Sequence, residues 1–363
     1  MGCTLLATGD LSPQRPFVRD GEPVWDALRG ADAVFANLET ALTTRDEATD
    51  KVVCLRADPA LAAELGRGGI GTVTVANNHA MDFGGAGLAD MLSALEDAGV
   101  AAVGAGDDLD AAFRPAVVEH DGLRIALLGM ACTLPNGCGA GPRRRGITPV
   151  RVLSRFVVDP VSIDEDPGMA PFVETTLMPG DGERAADAVR AAAADSDAVV
   201  VAIHWGVPNG WVAQVQGELA TYQRPLARML VEAGADAIVG HHPHVLHGVE
   251  MIEGRPVFYS LGNFMFHTLL ERQPDLGRPA PAYSWASLRG DVNHLGGLAR
   301  LRWDEGGAPS SAALVPVWLD ERGDPRLAGG AHAEAAMARV EELSQQFGTR
   351  WRRVDGALEV ESV

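Results

Sequence analysis

The sequence predicts an α/β fold with its chemistry gathered where strands end. Short β-type runs alternate with helical patterns through most of the chain, which is the signature of an α/β sheet protein. Polar and ionisable residues cluster directly after the apolar runs, where open α/β sheets place their sites. The 363 residues are 47% hydrophobic and 22% charged, the balance of a folded globular chain.

Leu5 to Ala7 reads as a first buried strand, and a short helix follows around Val24 to Leu28. Ala33 to Ala36 is a second strand. Pro59 to Leu65 is a helix with proline in its first turn, and Thr72 to Val75 is a β-branched third strand. Leu88, Met91, Leu92 and Leu95 fall at i, i+3, i+4 and i+7, one face of an amphipathic helix that Gly99 closes. Ala116–Glu119 and Arg124–Leu128 flank His120-Asp121-Gly122, a hairpin turn signal. A helix over Ala185–Ala194 leads into the strand Ala198–Ile203. Leu226, Met229, Leu230 and Ala233 face one side of a further helix, and Ala237–Val239 is the strand after it. Val245–Ile252 and Val257–Leu261 form a second hairpin around Glu253-Gly254-Arg255. The C-terminal stretch adds a strand pair, Ala299–Trp303 with Ala312–Val317, and a helix from about Ala333 to Phe347.

Segments 131–180, 207–222 and 267–297 show little periodicity and are expected to be long loops over the site. No linker divides the chain. Residues 1–330 are read as one domain, with 331–363 a helix and tail packed on it.

Several function classes are excluded. No apolar run reaches 18 residues, so no helix is expected to span a bilayer. Met1 to Asp10 lacks a basic flank and leads straight into chemistry, so it reads as a first strand rather than a signal peptide, and a cytoplasmic location is expected. Four cysteines in so long a chain do not make a disulfide framework, and the Cys132–Cys138 loop is too loose for a zinc knuckle. A net charge of −19 disfavours nucleic acid and anionic membrane as partners. Lys51 is the single lysine, in a stretch that reads as a solvated loop.

The polar clusters are Gly9-Asp10, Asn37-Leu38-Glu39, Asn77-Asn78-His79 with Asp82, His204-Trp205-Gly206, Gly240-His241-His242-Pro243-His244 and Tyr259 to Phe264. Each alone is weak. Together, carboxylate, amide and imidazole groups on one rim make a nitrogen/oxygen metal site or a general acid/base site. Trp205, Phe264 and Phe266 read first as wall and core. Asp82 reads as fixing the turn after His79, and Glu250 and Ser260 as groups orienting histidines.

In this order the motifs GD, NLE, ANNHxMDxGxxGL, HWG, GADxIxGHHPHV and YSLGNFxF resemble the CapA family of capsule and poly-γ-glutamate biosynthesis, over roughly residues 4 to 266. That family is similar to the calcineurin-like metallophosphoesterases. The resemblance implies a four-layer α/β/β/α sandwich. It puts Asp10, Glu39, Asn78, His204, His242 and His244 at metal-ligand positions and His79 at the general acid, with His204, Glu39 and Asp10 sharing in catalysis. The implied cofactor is a divalent metal (Mn, Zn, Fe or Mg), expected as one ion or none because Ser12 replaces an expected histidine ligand.

Two departures bear on that cofactor. Ser12 stands where the superfamily's first loop carries a histidine ligand, and Pro208 stands where the family carries an acid. Metal-dependent hydrolysis is therefore expected beside an alternative, metal-independent elimination or ring closure by the same side chains, with a non-catalytic binding role third. The expected substrate is a small molecule with an apolar body and an anionic group. Trp205, Trp211, Asn263, Phe264, Arg143 and Arg144 are the candidates to hold it. Oligomeric state is left open.

Overall fold

The computed structural model describes residues 2–51, 53–169, 171–206, 218–267 and 290–361. Strand β1 (Cys3–Ser12) is buried along almost its whole length, and its alternation divides the molecule. Leu5 and Ala7 face a second sheet, whereas Leu6 and Leu11 face helices. Helix α1 (Pro23–Arg29), β2 (Ala33–Leu38), α2 (Ala62–Arg67), β3 (Thr72–Thr74), α3 (Gly84–Asp97) and β4 (Ala101–Val103) follow, and the strands add to β1 in parallel. β5 (Ala116–His120) and β6 (Leu123–Ala131) form the first hairpin. Its turn residues Asp121 and Gly122 take φ of +49° and +84°, as a tight hairpin turn requires.

Next come β7 (Val152–Val157), α4 (Pro160–Glu165) and β8 (Phe172–Leu177), then α5 (Asp181–Ala194), β9 (Ala198–His204), α6 (Gln223–Glu232) and β10 (Ala237–His241). β11 (Val249–Ile252) and β12 (Arg255–Phe258) are the second hairpin. The second sheet has the order β11-β12-β10-β9-β6-β5. β13 (Asn263–Phe266), β14 (Leu295–Trp303), β15 (Ser311–Leu319), β16 (Pro325–Leu327), α7 (Gly330–Ser344), β17 (Trp351–Val354) and β18 (Ala357–Val360) complete the first sheet. Its order is β17-β18-β15-β14-β1-β2-β3-β4, with β13 beside the end of β1 and β16 beside β15.

The core lies in three slabs. Leu5, Phe35, Leu127, Val200 and Val239 fill the space between the sheets. Val34, Ala36 and Val73 pack on α1, α2 and α3 through Trp25, Leu65 and Met91. Leu128, Val201 and Ile203 pack on α5 and α6 through Val189 and Leu226. The result is the expected α/β/β/α sandwich. Helix α7 buries Ala336 and Val340 against the slab between the sheets. Among the described residues no helix is long and apolar enough to cross a membrane.

Two expectations need correction, and the reading of the tail gains detail. Segment 131–180 is not irregular, since β7 and β8 pair antiparallel with α4 at their tip. In 267–297 the described part is a short 3-10 turn, Asp291–His294, and the start of β14, while 268–289 lie outside the described residues. The C-terminal tail is a hairpin, β17 with β18.

Candidate metal centre

β1 and β2 run parallel with Asp10 opposite Asn37, so Glu39, two residues on, turns to the same side as Asn37. Asn37 Nδ2 donates to Asp10 Oδ1 at 2.8 Å. Asn77 Nδ2 donates to Asn37 Oδ1 at 3.1 Å and to the Leu38 carbonyl at 2.8 Å. Asn77 Oδ1 accepts the backbone N–H groups of His79 and Ala80, each at 3.0 Å. This chain of amides fixes the turn that carries Asn78 and His79.

The second sheet supplies the imidazoles, because β9 ends in His204 and β10 in His241, paired side by side. His204 Nδ1 accepts from Asn37 Nδ2 at 3.3 Å, which leaves its Nε2 to donate to Asn78 Oδ1 at 2.8 Å. That Nε2 is also 3.4 Å from Glu39 Oε1 and 3.1 Å from His242 Nδ1. His244 Nδ1 lies 3.3 Å from Asp10 Oδ2 and its Nε2 3.8 Å from Glu39 Oε1. His242 and His244 hold φ of +100° and +57°. Backbone this costly in non-glycine residues persists where the surroundings enforce it, and such sites are often functional. Gly9 permits the approach of the two halves, because a Cβ there would strike the carbonyl of Gly262, which accepts the Asp10 N–H at 2.9 Å.

Asp10, Glu39, His204, His242 and His244 are all buried. Burial and the Asp10 charge raise Glu39 above the usual carboxylate range. Asp10 resists burial through its hydrogen bond to His244 and the charges around it, and is held below that range. Burial opposes a charge on His244, yet Glu39 and Asp10 prevail and lift it to about 9. Burial holds His204 and His242 well below the ordinary imidazole value.

The donor set fits a divalent cation. Glu39, His242 and His244 present ligand atoms within 4.8 Å of one another, and so do Asp10, Glu39 and His204, with Glu39 common to both groups. Both Glu39 carboxylate oxygens are buried without a hydrogen-bond partner, a costly state for an acid unless a cation completes it. Oxygen and imidazole ligands suit Mn, Zn, Fe and Mg in different degrees.

His79 lies beside this cluster, directly after Asn78, whose Oδ1 meets His204 Nε2 at 2.8 Å. His79 Nδ1 is 2.7 Å from Asp82 Oδ2. Asp82 also accepts the Leu55 N–H at 2.6 Å and pairs with Lys51 Nζ at 2.6 Å. Lys51 donates as well to the Asn78 carbonyl and lies 3.2 Å from His79 Nδ1. So Lys51 is no solvated loop residue, and Asp82 does more than fix a turn. Sequence reasoning missed both, and missed Asn37 as the support of Asp10. The i, i+3 spacing of His79 and Asp82 was the one visible signal.

The six ligand candidates and His79 are therefore brought together. Of the substrate-binding candidates, only Asn263 touches this cluster among the described residues. Trp205 is fully buried, stacked on Tyr259, with Nε1 donating to the Tyr259 carbonyl at 2.9 Å. Phe264 packs edge-on against Trp25 in the helix-facing slab. Asn263 is buried, with Oδ1 2.9 Å from His244 Nδ1, and holds that ring. Arg143 is exposed. Arg144 donates to the Gly139 carbonyl at 2.9 Å and lines a separate groove of about 620 Å³ with Leu134, Arg151 and Arg184. Trp211 lies outside the described residues. Glu250 binds Arg224 and Tyr259 rather than a site histidine, and Ser260 Oγ accepts the Gly262 N–H. Ser12 Oγ is buried without a partner.

The profile of the family described as bacterial capsule synthesis protein PGA_cap matches residues 4–268. Over 96% of its length the chain is 27% identical to protein y4sH of Sinorhizobium fredii, of which 91% is covered. It is 31% identical to the PGA biosynthesis protein CapA of Bacillus subtilis over 68% of this chain and 55% of that protein, so it spans about half of that relative. Among solved structures it is similar to the NAD nucleotidase NadN of Haemophilus influenzae, with a TM-score of 0.41 and 13% identity over 94% of this chain and 63% of that one.

Proposed function

Since the chain belongs to the bacterial capsule synthesis protein family PGA_cap, we propose that it is a metal-dependent hydrolase of that family, acting on an anionic ester or amide in the biosynthesis of a polymer or small molecule. The observation that carries this reading is the pair of ligand groups sharing a buried Glu39 whose oxygens lack a hydrogen-bond partner, with an acid/base dyad beside them. Asp10, Glu39, His204, His242 and His244, with Asn78, would hold the metal, which would lower the pKa of a bound water and polarise the scissile group. His79 gives its Nε2 proton to the leaving group as the bond breaks. Asp82 holds the ring by Nδ1, and Lys51 pairs with Asp82. Asn37 and Asn263 keep Asp10 and His244 in place. Burial around His204 and His242 keeps these rings neutral and able to bind cations.

The test is hydrolysis of bis(p-nitrophenyl) phosphate and of γ-glutamyl anilides by chelator-stripped protein, with and without added Mn²⁺ or Zn²⁺. Metal-restored turnover that His79→Asn lowers on the order of 10²–10⁴-fold supports the proposal. A second reading, metal-independent elimination or ring closure, draws support from Ser12 in place of a histidine ligand. Full activity on a natural substrate after exhaustive chelation would favour it over hydrolysis.

A further inference from the structure

The β7–β8 ribbon and its tip carry most of the exposed large apolar side chains among the described residues. Of ten exposed large apolar side chains among the described residues, eight lie between Leu153 and Val173. Phe156 is 71% exposed, Val161 69%, Val158 54% and Phe172 52%. The register pairs Phe156 with Val173 and Val157 with Phe172, so Phe156 and Val173 share one face, and Leu153 and Phe172 the other. Both faces are therefore sticky. A ribbon that is apolar on two sides has no buried side of its own.

Its base is firmly held. Arg151 makes a forked pair with the buried Asp181, at 2.8 Å from Nε and 2.7 Å from Nη2, and its backbone N–H bonds the same carboxylate at 2.8 Å. The two edges differ. In an antiparallel pair, successive residues alternate between inward and outward hydrogen bonding. Thr175 turns its N–H and C=O outward, and both bond the Thr221 hydroxyl at 2.7 Å. The edge of β8 is thus capped. Ser154 lies opposite Thr175, so its backbone also points outward, along β7. Among the described residues no backbone group bonds the outer edge at Ser154 or Phe156.

We propose that this ribbon is a dimerisation arm and that its occupant is the same ribbon of a second copy of the chain, joined through the free edges of β7. An antiparallel strand edge is its own complement about a twofold axis, so one unpaired edge suffices to make a closed pair. Over its two faces and tip the exposed apolar side chains offer on the order of 600 Å² per copy, so with the paired β7 edges the contact approaches the ~800 Å² per partner of a standard interface. Charge permits the contact. The chain carries −19 overall, yet the only ionic groups on the two strands, Arg155 and Glu174, pair across the ribbon. Two copies can meet there without bringing net charge together. An anionic lipid surface would meet the acidic tip residues Asp159, Asp164, Glu165 and Asp166 instead.

Sedimentation-equilibrium mass over a concentration series up to on the order of 100 μM tests this on the full chain. The wild type should weigh twice the chain mass. Phe156→Asp, which changes an exposed side chain, and Ser154→Pro, which removes an outward N–H, should each shift it to monomer with unchanged melting temperature. Val117→Asp, on the far edge of the second sheet, should remain dimeric. A monomeric wild type, or a dimer that Val117→Asp dissociates and Phe156→Asp does not, overturns the proposal. So does a monomer that floats with phosphatidylcholine vesicles through Phe156, which would make the ribbon a lipid anchor.

Discussion

Asp82 accepts from Leu55, His79 and Lys51 at once, so its charge is fully used in orienting one imidazole. Asp82→Asn keeps the shape and removes the charge. Turnover should fall on the order of 10²–10⁴-fold with metal content unchanged, as measured by initial rates beside elemental analysis. Wild-type rates would show that His79 works without its partner. Asn37→Ala removes the amide between Asp10 and His204 and should weaken metal affinity by about 10- to 100-fold. A calorimetric titration with unchanged affinity would show Asn37 to be packing alone. The ligand candidates were legible in the sequence because each follows a predicted strand within one to five residues. Their supports were not, since Lys51 and Asn37 reach their partners from 28 and 27 positions away along the chain. Trp205 and Phe264 are wall and core, as first read, and not substrate contacts, for a simple reason. Each directly follows a site residue on a strand or its end, and neighbours there point to opposite faces.

At the scale of elements, β1 must bring Asp10 against the Gly262 turn, and Gly9 makes room for it. Gly9→Ala should cost roughly 1–3 kcal/mol by overpacking, read by chemical denaturation, and should lower metal affinity with it. Unchanged stability would mean that the turn at Gly262, itself at φ +66°, yields easily. The ribbon β7–β8 escaped sequence reading because both of its faces are apolar and exposed, so the period-2 contrast that marks a half-buried strand is missing. Strands buried on both faces, such as β9, were plain because an unbroken apolar run of that length fits no loop.

For the whole molecule, two buried histidines link stability to pH. Burial, and then the Arg339 charge, lower His247 to about 4. Burial, and then Arg15, lower His267 to about 4. Unfolded histidine takes its proton near pH 6.5, so between pH 6.5 and 4 the unfolded chain binds more protons and stability falls as pH falls. Melting temperature should drop through that window, and His247→Gln should flatten part of the drop. A variant curve parallel to the wild type would remove His247 from the account.

The proposed chemistry rests on one claim, that Glu39 is shared between two groups able to hold a metal, one with His242 and His244, the other with Asp10 and His204. Calorimetric titration of chelator-stripped protein with Mn²⁺ or Zn²⁺ tests it most directly. Two ions per chain are predicted for the wild type, one for His242→Ala, and none for Glu39→Gln, each variant keeping its fold by circular dichroism. Glu39→Gln binding both ions as the wild type does would contradict it.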